Sequence, residues 1–237
     1  MMTTDTPPAP HTHRPIRSFI RREGRLTTAQ FRAINELLPS LELKAEGDLL
    51  DLEAVFGRSA PVTLEIGFGN GESLLHMAAA APDQDFIGIE VHRPGIGHLA
   101  LGVERLGLTN IRIVAEDAVP FIQSRIANAS LDRLLLYFPD PWRKARHHKR
   151  RIVQTEFASL VSQKLKPGGL WHLATDWAPY AEHMRAVLDA HPDFSAEHSG
   201  SGENARPGWR PETKFERRGI RLEHAVFDLL YRRSNND

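Results

Sequence analysis

The sequence predicts an α/β fold built on a parallel sheet, and three observations lead to that prediction. From Val62 onwards, short apolar runs alternate with amphipathic stretches of helical period, as expected for strands joined by right-handed helical crossovers. A glycine-rich turn follows the first apolar run, and acidic residues follow three successive runs. The 237 residues are enough for one large domain with an N-terminal extension.

Composition narrows the class of protein. Thirty basic residues balance thirty acidic ones, but the basic ones cluster near the start, in the centre and near the end of the chain. There is no cysteine, which excludes disulfides, thiolate metal sites and a cysteine nucleophile. No apolar run approaches the roughly 18 residues of a membrane helix. We therefore expect a cytoplasmic protein without a membrane segment, and no metal site, since no further ligand accompanies His11 and His13.

Three regions follow one another along the chain. Residues 1–13 form a Pro/Thr-rich tail without the order of a secretory signal, which we expect to be disordered. Residues 14–60 comprise a basic arm, a helix over about Thr28–Leu38 and a linker-like stretch from Pro39 to Pro61. The arm is either solvated or grips a phosphate backbone. Residues 61–237 form the main domain.

Periodicity assigns the elements of the main domain. The predicted strands are Val62–Ile66, Phe86–Val91, Ile111–Val114, Leu131–Phe138, Leu170–Thr175 and Val226–Tyr231. The predicted helices are Gly71–Ala81, Gly95–Leu106, Ala118–Ile126, Ile152–Leu165 and Trp177–Ala190. The stretch 195–211 is rich in Gly, Ser and Pro, which predicts a long irregular loop.

The glycine turn after the first strand points to a nucleotide-like cofactor. Gly67, Gly69 and Gly71 allow a tight turn and a close approach of the backbone to a ligand. A dinucleotide fingerprint would place glycine where this chain has Glu72. Glu65 would repel a pyrophosphate but attract the ammonium and sulfonium of S-adenosylmethionine. The turn therefore favours the methyl donor.

Two further acids follow the next strands. Glu90 ends the second strand, where a carboxylate accepts from ribose hydroxyls; this position alone does not separate the two cofactors. Asp117 follows the third strand and is placed to accept from an adenine amino group, or to cap the next helix. Each acid taken singly is also explained by a solvated or surface position. Acids after three successive strands favour a cofactor site.

The centre of the chain combines a carboxylate with a dense basic run. Pro139 and Pro141 hold Asp140 at the end of the fourth strand, and ligands of open α/β sheets bind at that edge. The nine residues Arg143–Arg151 hold six basic side chains and two histidines without an acid. This density favours phosphate binding over a solvated helix start.

Several motifs together resemble one family. EIGFGNG, GIEVH, EDAV, FPDPWRKARHHKRR, ATDW and TKFERRG, with the arm RSFIRREGR, resemble the bacterial tRNA (guanine-N7)-methyltransferases in order and spacing. The resemblance implies a Rossmann-like class I methyltransferase fold with a mostly parallel seven-stranded sheet and helices on both faces. It also implies methyl transfer from S-adenosylmethionine to N7 of a variable-loop guanine, position 46 of tRNA, leaving S-adenosylhomocysteine.

The resemblance also implies roles for individual residues. Asp140 would be catalytic. The cofactor would be bound by Glu65, Gly67, Gly69, Gly71, Glu90, Asp117 and Asp140. The substrate would be bound by Lys144, Asp176, Thr213, Lys214, Phe215 and Glu216. RNA would be contacted by Arg146, His147, His148, Lys149, Arg150 and Arg151. The partner would be tRNA, without an obligatory protein partner, and the protein a monomer or a homodimer.

The chemistry of guanine agrees with these roles. N7 carries a lone pair and no proton, so the reaction needs no general base, and a fixed carboxylate at Asp140 would stabilise the cation that forms. Asp176 is expected either to accept from the edge of a guanine or to cap the following helix. Trp142 and Trp177 are expected either to stack on a base or to be buried. The alternatives are a methyltransferase for another RNA or a small molecule, a noncatalytic RNA-binding protein, and a nicotinamide-dependent oxidoreductase.

Overall fold

A seven-stranded mixed sheet organises the computed structural model, which describes residues 19, 24–201, 206–212, 216 and 225–235. The strand order is β3-β2-β1-β4-β5-β7-β6. Strands β1 to β5 pair in parallel, and β7 runs antiparallel between β5 and β6. The strands are β1 Val62–Ile66, β2 Asp85–Ile89, β3 Ile111–Val114, β4 Leu131–Tyr137, β5 Leu165–Thr175, β6 Phe194–Ser201 and β7 Phe227–Arg233.

Helices connect the strands and cover the sheet. The α-helices are α1 Thr28–Arg32, α2 Leu38–Leu41, α3 Leu52–Phe56, α4 Glu72–Ala80, α5 Arg93–Leu106, α6 Ala118–Arg125, α7 Thr155–Lys164 and α8 Ala178–Asp189. A π-helical segment, Ala33–Leu37, joins α1 to α2, and a 3₁₀ helix spans Ala145–Arg150. The predicted α/β architecture with a seven-stranded sheet is confirmed.

Both faces of the central strands are buried, and each face has its own core. Leu134 and Leu136 pack in one apolar cluster with residues of α6, α7 and α8. Leu135 and Tyr137, which point the other way, pack in a second cluster with α4 and α5. Burial on two faces explains the unbroken apolar runs of the sequence. The parallel pairing of β1, β2, β3 and β4 places their carboxyl ends along one side of the sheet.

The prediction of an irregular loop over 195–211 was wrong at its start. Phe194–Ser201 forms strand β6, which pairs with β7 from Phe194↔Arg233 to Ser201↔Phe227. An edge strand such as β6 is held by backbone bonds to a single neighbour, so it needs no alternation of apolar side chains. Strand β5 also begins earlier than predicted, at Leu165, and α7 begins later, at Thr155.

The stretch from Pro39 to Pro61 is packed on the domain and is not a free linker. Leu43 is buried in the core, and its N–H donates to the Ile113 carbonyl at the outer side of β3. The Leu50 N–H donates to the Arg125 carbonyl, and α3 follows with Asp51 as its N-cap. This segment therefore covers part of the sheet edge.

Candidate active site

A cavity of about 390 Å³ opens at the carboxyl ends of the parallel strands. Its wall includes Gly67, Glu90, Asp117 and Asp140, which follow β1, β2, β3 and β4. A smaller hollow of about 190 Å³ shares Gly67, Gly69 and Glu90 with it and extends to Glu65. The larger volume is within the range of small-molecule and cofactor sites. The structure thus brings together the acids that the sequence predicted for a cofactor.

The glycine turn is held in shape by its neighbours. Gly67 has φ +72°, and a Cβ built on it would meet no described atom within 4 Å, so its open side faces free space. The Gly69 N–H donates to Glu90 Oε2 at 2.9 Å. The Asn70 carbonyl lies 2.6 Å from His98 Nδ1 on α5. The turn therefore presents bare backbone to the cavity from a fixed position.

Glu90 holds the turn as well as lining the cavity. Besides the Gly69 N–H, its Oε1 accepts from the N–H groups of Val91 at 2.7 Å and His92 at 3.0 Å. A carboxylate has about four acceptor positions, so three backbone bonds leave capacity for a ligand hydroxyl. The predicted ribose-binding acid is therefore already oriented by the protein.

Glu65 is a buried carboxyl group, one of whose oxygens has no hydrogen-bond partner among the described residues. The group is 2% exposed, and the oxygen without a partner is Oε2. Burial, and then the charge of Glu90, raise its pKa to about 8. A buried carboxylate oxygen without a partner is costly unless a cation or a donor meets it. A ligand that brings positive charge into the smaller hollow, such as the ammonium and sulfonium of S-adenosylmethionine, fits this group.

Asp117 caps the helix that follows it and also lines the cavity, while its contact with an adenine amino group stays a prediction. Its side chain accepts from the Val119 N–H at 3.3 Å and so caps α6, and it also lines the cavity. Ile89, Leu136 and Ile152 line the same cavity and provide apolar walls. This end of the cavity combines an acceptor with flat apolar surroundings, as an adenine ring requires.

The loop that carries Asp140 has an unusual backbone. Phe138 and Trp142, on either side of it, have φ values of +50° and +44°, which are rare for residues other than glycine. Arg151 is 4% exposed, and its Nε donates to the Pro141 carbonyl at 3.0 Å. The Arg151 guanidinium also lies 4.9 Å from the Tyr180 ring centre. Arg151 therefore holds the loop, and an RNA contact for it stays a prediction that its burial does not favour.

The rest of the basic run lies beside this loop, on the surface. Arg143, Lys144, Arg146 and Lys149 are exposed, whereas His147, His148 and Arg150 are half-buried. Partial burial, and then the surrounding cations, lower the pKa of His147, so it adds little positive charge at pH 7. The exposed cations begin three residues after Asp140, a residue of the cavity wall, and form a positive surface that follows the Asp140 loop.

The tryptophans that flank this region stack on arginines. The guanidinium of Arg143 lies 4.2 Å from the Trp177 ring centre, and that of Arg150 lies 4.2 Å from the Trp142 ring centre. Cation–π pairs of this kind order long side chains that would otherwise be free. Both rings are therefore partly buried beside the basic surface, and Trp177 also packs against the apolar core.

Comparison with known proteins identifies the family. A family model described as "Putative methyltransferase" matches residues 59–229. A tRNA (guanine-N(7)-)-methyltransferase of Alcanivorax borkumensis is 55% identical over 218 residues, which cover 92% of this chain and 91% of the relative. An enzyme of the same name from Pseudomonas putida is 55% identical over 231 residues, 96% of each protein. The chain belongs to the tRNA (guanine-N(7)-)-methyltransferase family.

Two solved methyltransferase structures resemble this chain in fold. The 16S rRNA methyltransferase KamB superposes with a TM-score of 0.56 at 14% identity, covering 79% of this chain and 95% of that one. TrmN from Thermus thermophilus gives 0.53 at 18% identity, covering 77% and 47%. At these identities the similarity shows the class I methyltransferase fold. In the described part of the chain, no group of three or more potential metal ligands and no helix able to span a membrane is found.

The predicted substrate residues of this methyltransferase family member are only partly described. Lys144 and Asp176 are exposed, and Asp176 is not the cap of α8, because Trp177 occupies the N-cap position. Glu216 is 4% exposed and lies 2.6 Å from Arg210 Nη1. Thr213, Lys214 and Phe215 lie outside the described residues. Their contacts with substrate remain predictions.

Sequence reasoning missed two groups of buried residues that lie next to this methyltransferase site. Arg151 was grouped with the exposed cations, and nothing in the basic run distinguishes it from Arg150. His172 and Asp228 were not singled out, although each is a polar residue within an apolar strand, in LWHLAT and FDLLY. A polar residue at a buried strand position is a signal for a buried network.

Proposed function

We propose that this protein transfers a methyl group from S-adenosylmethionine to N7 of a guanine in tRNA. The observation that carries the proposal is the position of Asp140. Its loop lines the cavity that the cofactor acids surround, and the exposed basic run begins three residues later. The names of relatives 55% identical over nearly the whole chain support the same activity.

The charge and shape of the cavity determine which residue binds each part of the cofactor. S-adenosylmethionine, when bound, supplies the methyl group that is transferred. Glu65 meets its positive charge, Glu90 accepts from its ribose, and Asp117 accepts from its adenine amino group. The bare backbone at Gly67 and Gly69 leaves the ligand room, because the open side of Gly67 faces free space.

Asp140 acts by its charge and position, because guanine N7 has no proton to remove. Methyl transfer leaves a positive charge on the purine, and a fixed carboxylate beside it stabilises that charge. The same carboxylate can accept from the guanine N1–H or amino group and so orient the base. Correct orientation of the reacting atoms is worth roughly 7 to 11 kcal/mol. The rigid loop between Phe138 and Trp142 serves this orientation.

The RNA end of the site follows from the basic surface. Arg146 and Lys149 bind backbone phosphates, while Lys144, Asp176 and the Thr213–Glu216 segment contact the guanine nucleotide. The N7 edge is difficult to reach in paired RNA, so the target guanine leaves its tertiary contacts in order to react. The resemblance to the family implies that this guanine is in the variable loop, at position 46. Affinity should fall as salt rises, as for other phosphate-binding surfaces.

Methylation of a defined RNA tests the proposal. An unmodified tRNA transcript is incubated with the protein and labelled S-adenosylmethionine, and N7-methylated guanine is located by selective strand scission. We expect label in tRNA and scission at the variable-loop guanine. Absence of label from the tRNA, or scission at other guanines, would contradict the proposed substrate.

Substitution of Asp140 tests its catalytic role. Asp140→Ala and Asp140→Asn should lower kcat by about a hundredfold or more, the usual effect of removing one preorganised electrostatic group. Asp48→Ala, which removes an exposed aspartate far along the chain from the cavity residues, is the matched control and should keep normal turnover. Full turnover by Asp140→Ala would remove its catalytic role while leaving the substrate proposal intact.

A further inference from the structure

Helix α5 holds the glycine turn from outside the cavity. His98, in the second turn of α5, is half-buried, and its Nδ1 lies 2.6 Å from the Asn70 carbonyl oxygen. A carbonyl oxygen only accepts, so Nδ1 carries the proton and donates. Of the described residues, those that line the cavity and the smaller hollow do not include His98. The bond therefore acts on the turn and not on a ligand directly.

The same helix approaches the turn so closely that only glycine fits between them. A Cβ built on Gly95 of α5 would lie 1.9 Å from the Gly69 carbonyl oxygen, far inside van der Waals contact. A Cβ built on Gly71 would lie 2.9 Å from Leu99 Cβ. Gly95 and Leu99 are both buried. The start of α5 is therefore a fixed wall against which the turn packs.

Glu90 completes a closed ring of contacts between the turn and the helix. Its carboxylate accepts from the Gly69 N–H at 2.9 Å and from the N–H of His92, the N-cap of α5, at 3.0 Å. His98 then joins α5 back to Asn70, the residue after Gly69. The acid expected to bind the cofactor ribose is thus held in the same ring. A shift of the turn would move this acid as well.

The position of α5 does not depend on the His98 bond. Ile96, Leu99, Ala100 and Val103 place one face of the helix in the second apolar cluster, and none of them is more than 4% exposed. Burial of these side chains outweighs the net contribution of one hydrogen bond. Loss of the bond should therefore loosen the turn while leaving the helix in place.

We propose that His98 is a positioning residue for the cofactor, because its bond to the Asn70 carbonyl keeps the Gly67–Gly71 turn in the shape that S-adenosylmethionine requires. This inference rests on the proposed function, in which the turn and Glu90 bind that cofactor. A turn that is ordered before the ligand arrives loses less conformational freedom on binding, which strengthens binding. Removal of His98 should therefore lower the affinity for the cofactor and leave the transfer step of the saturated enzyme unchanged.

Substitution of His98 with and without replacement of its donor tests the inference. His98→Leu removes the N–H, whereas His98→Asn places a side-chain amide N–H close to the position of Nδ1. Gly95→Ala brings a Cβ against the Gly69 carbonyl and displaces the turn by another route. The matched control is His191→Ala, which removes a histidine that lies 3.0 Å from Ser159 Oγ, between the end of α8 and α7.

Calorimetry gives the Kd for S-adenosylhomocysteine, and initial rates give the KM for S-adenosylmethionine and kcat with tRNA. His98→Leu should raise the Kd and the KM about fivefold or more, the fold-change that corresponds to one net hydrogen bond, with kcat at saturating cofactor unchanged. His98→Asn should restore the wild-type Kd and KM. Gly95→Ala should raise the Kd about tenfold or more, because the added Cβ has no room. His191→Ala should lower the melting temperature without changing the Kd.

Hydrogen exchange reports on the turn without turnover. In the free protein, the peptide spanning 67–75 should exchange about fivefold faster in His98→Leu than in the wild type, because the turn opens more often. His98→Asn and His191→Ala should exchange at the wild-type rate. This measurement separates a loosened turn from a general loss of stability.

An unchanged Kd in His98→Leu, an equal loss of affinity in His98→Asn, or unchanged exchange of the turn would each overturn the inference. So would an equally raised Kd in His191→Ala, since any lost stability would then have the same effect. If His98→Leu does not fold, His98→Ala replaces it with the same expected Kd. Absence of N7 methylation by the wild type would contradict the proposed function instead, and the Kd for S-adenosylhomocysteine would still decide the role of His98.

Discussion

Binding of S-adenosylmethionine should strengthen as the pH rises toward 8, because Glu65 must lose a proton to meet a cation. The carboxyl is buried, its Oε2 has no partner among the described residues, and its pKa is raised to about 8 by burial and then by Glu90. At pH 7 it is therefore mostly neutral in the free protein. A ligand with an ammonium and a sulfonium favours the ionised form.

The size of the effect follows from proton linkage. Where the free protein holds the proton and the complex does not, affinity rises about tenfold per pH unit. With a pKa of about 8, the increase between pH 6 and pH 8 is roughly fiftyfold. The rise of the Glu65 pKa from an ordinary 4.5 to about 8 means that ionising the buried carboxyl costs on the order of 5 kcal/mol more than in water. The positive charges of the ligand offset this cost on binding. Above about pH 8 the ligand's own amino group loses its proton, so the affinity should then stop rising.

Calorimetric titration at pH 6, 7 and 8 measures this directly. Two buffers of different ionisation enthalpy give the number of protons released, which should approach one at pH 6. Glu65→Gln should bind more weakly at pH 8 and lose the slope below it. Glu182→Gln, an exposed glutamate on α8, should keep the wild-type slope. An affinity that is constant from pH 6 to 8, or an unchanged slope in Glu65→Gln, would refute the reasoning.

Four further results are expected. In the free protein, the raised pKa of Glu65 contributes stability that is full below pH 4.5 and is lost as the pH rises through about 8. The free energy of unfolding of Glu65→Gln, measured by chemical denaturation, should not show this loss. Gly67→Ala should cost about 1 kcal/mol, because φ is +72° there, and its Cβ should weaken cofactor binding in calorimetry. Arg146→Ala or Lys149→Ala should each reduce the salt slope of tRNA binding by about 0.7 to 0.9. Arg151→Met should instead lower the melting temperature and kcat with an unchanged salt slope.

The central strands were predictable because they are buried on both faces. The central strand Val62–Ile66 has the predicted boundaries, and so has the edge strand Ile111–Val114, because both are short, mainly apolar and buried along most of their length. Strand β6 was not predictable in this way. Ser195 and Glu197 are exposed, and the strand is specified by its pairing with β7, a partner distant in sequence. Local patterns do not contain that information.

The acids of the site were predictable because parallel strands bring their carboxyl ends to one edge. Glu90 and Asp117 therefore reach one cavity although they are far apart in sequence. The structural role of Arg151 was not predictable, because it depends on contacts with the Pro141 carbonyl and with the Tyr180 ring in α8. The same holds for the pKa of Glu65, which is raised by burial and then by the charge of Glu90, both of which arise only from the packing of the fold.

The left-handed backbone at Phe138 and Trp142 has a consequence for the engineering of this protein. A non-glycine residue with left-handed backbone angles destabilises the fold by roughly 1 to 3 kcal/mol. The backbone at Phe138 and Trp142, which holds Asp140 in place, therefore lowers the stability of the protein. A screen that rewards heat resistance alone would select substitutions that relax this loop, with loss of turnover. Thermostable variants that remain active should therefore carry their changes elsewhere, where stability and catalysis do not compete.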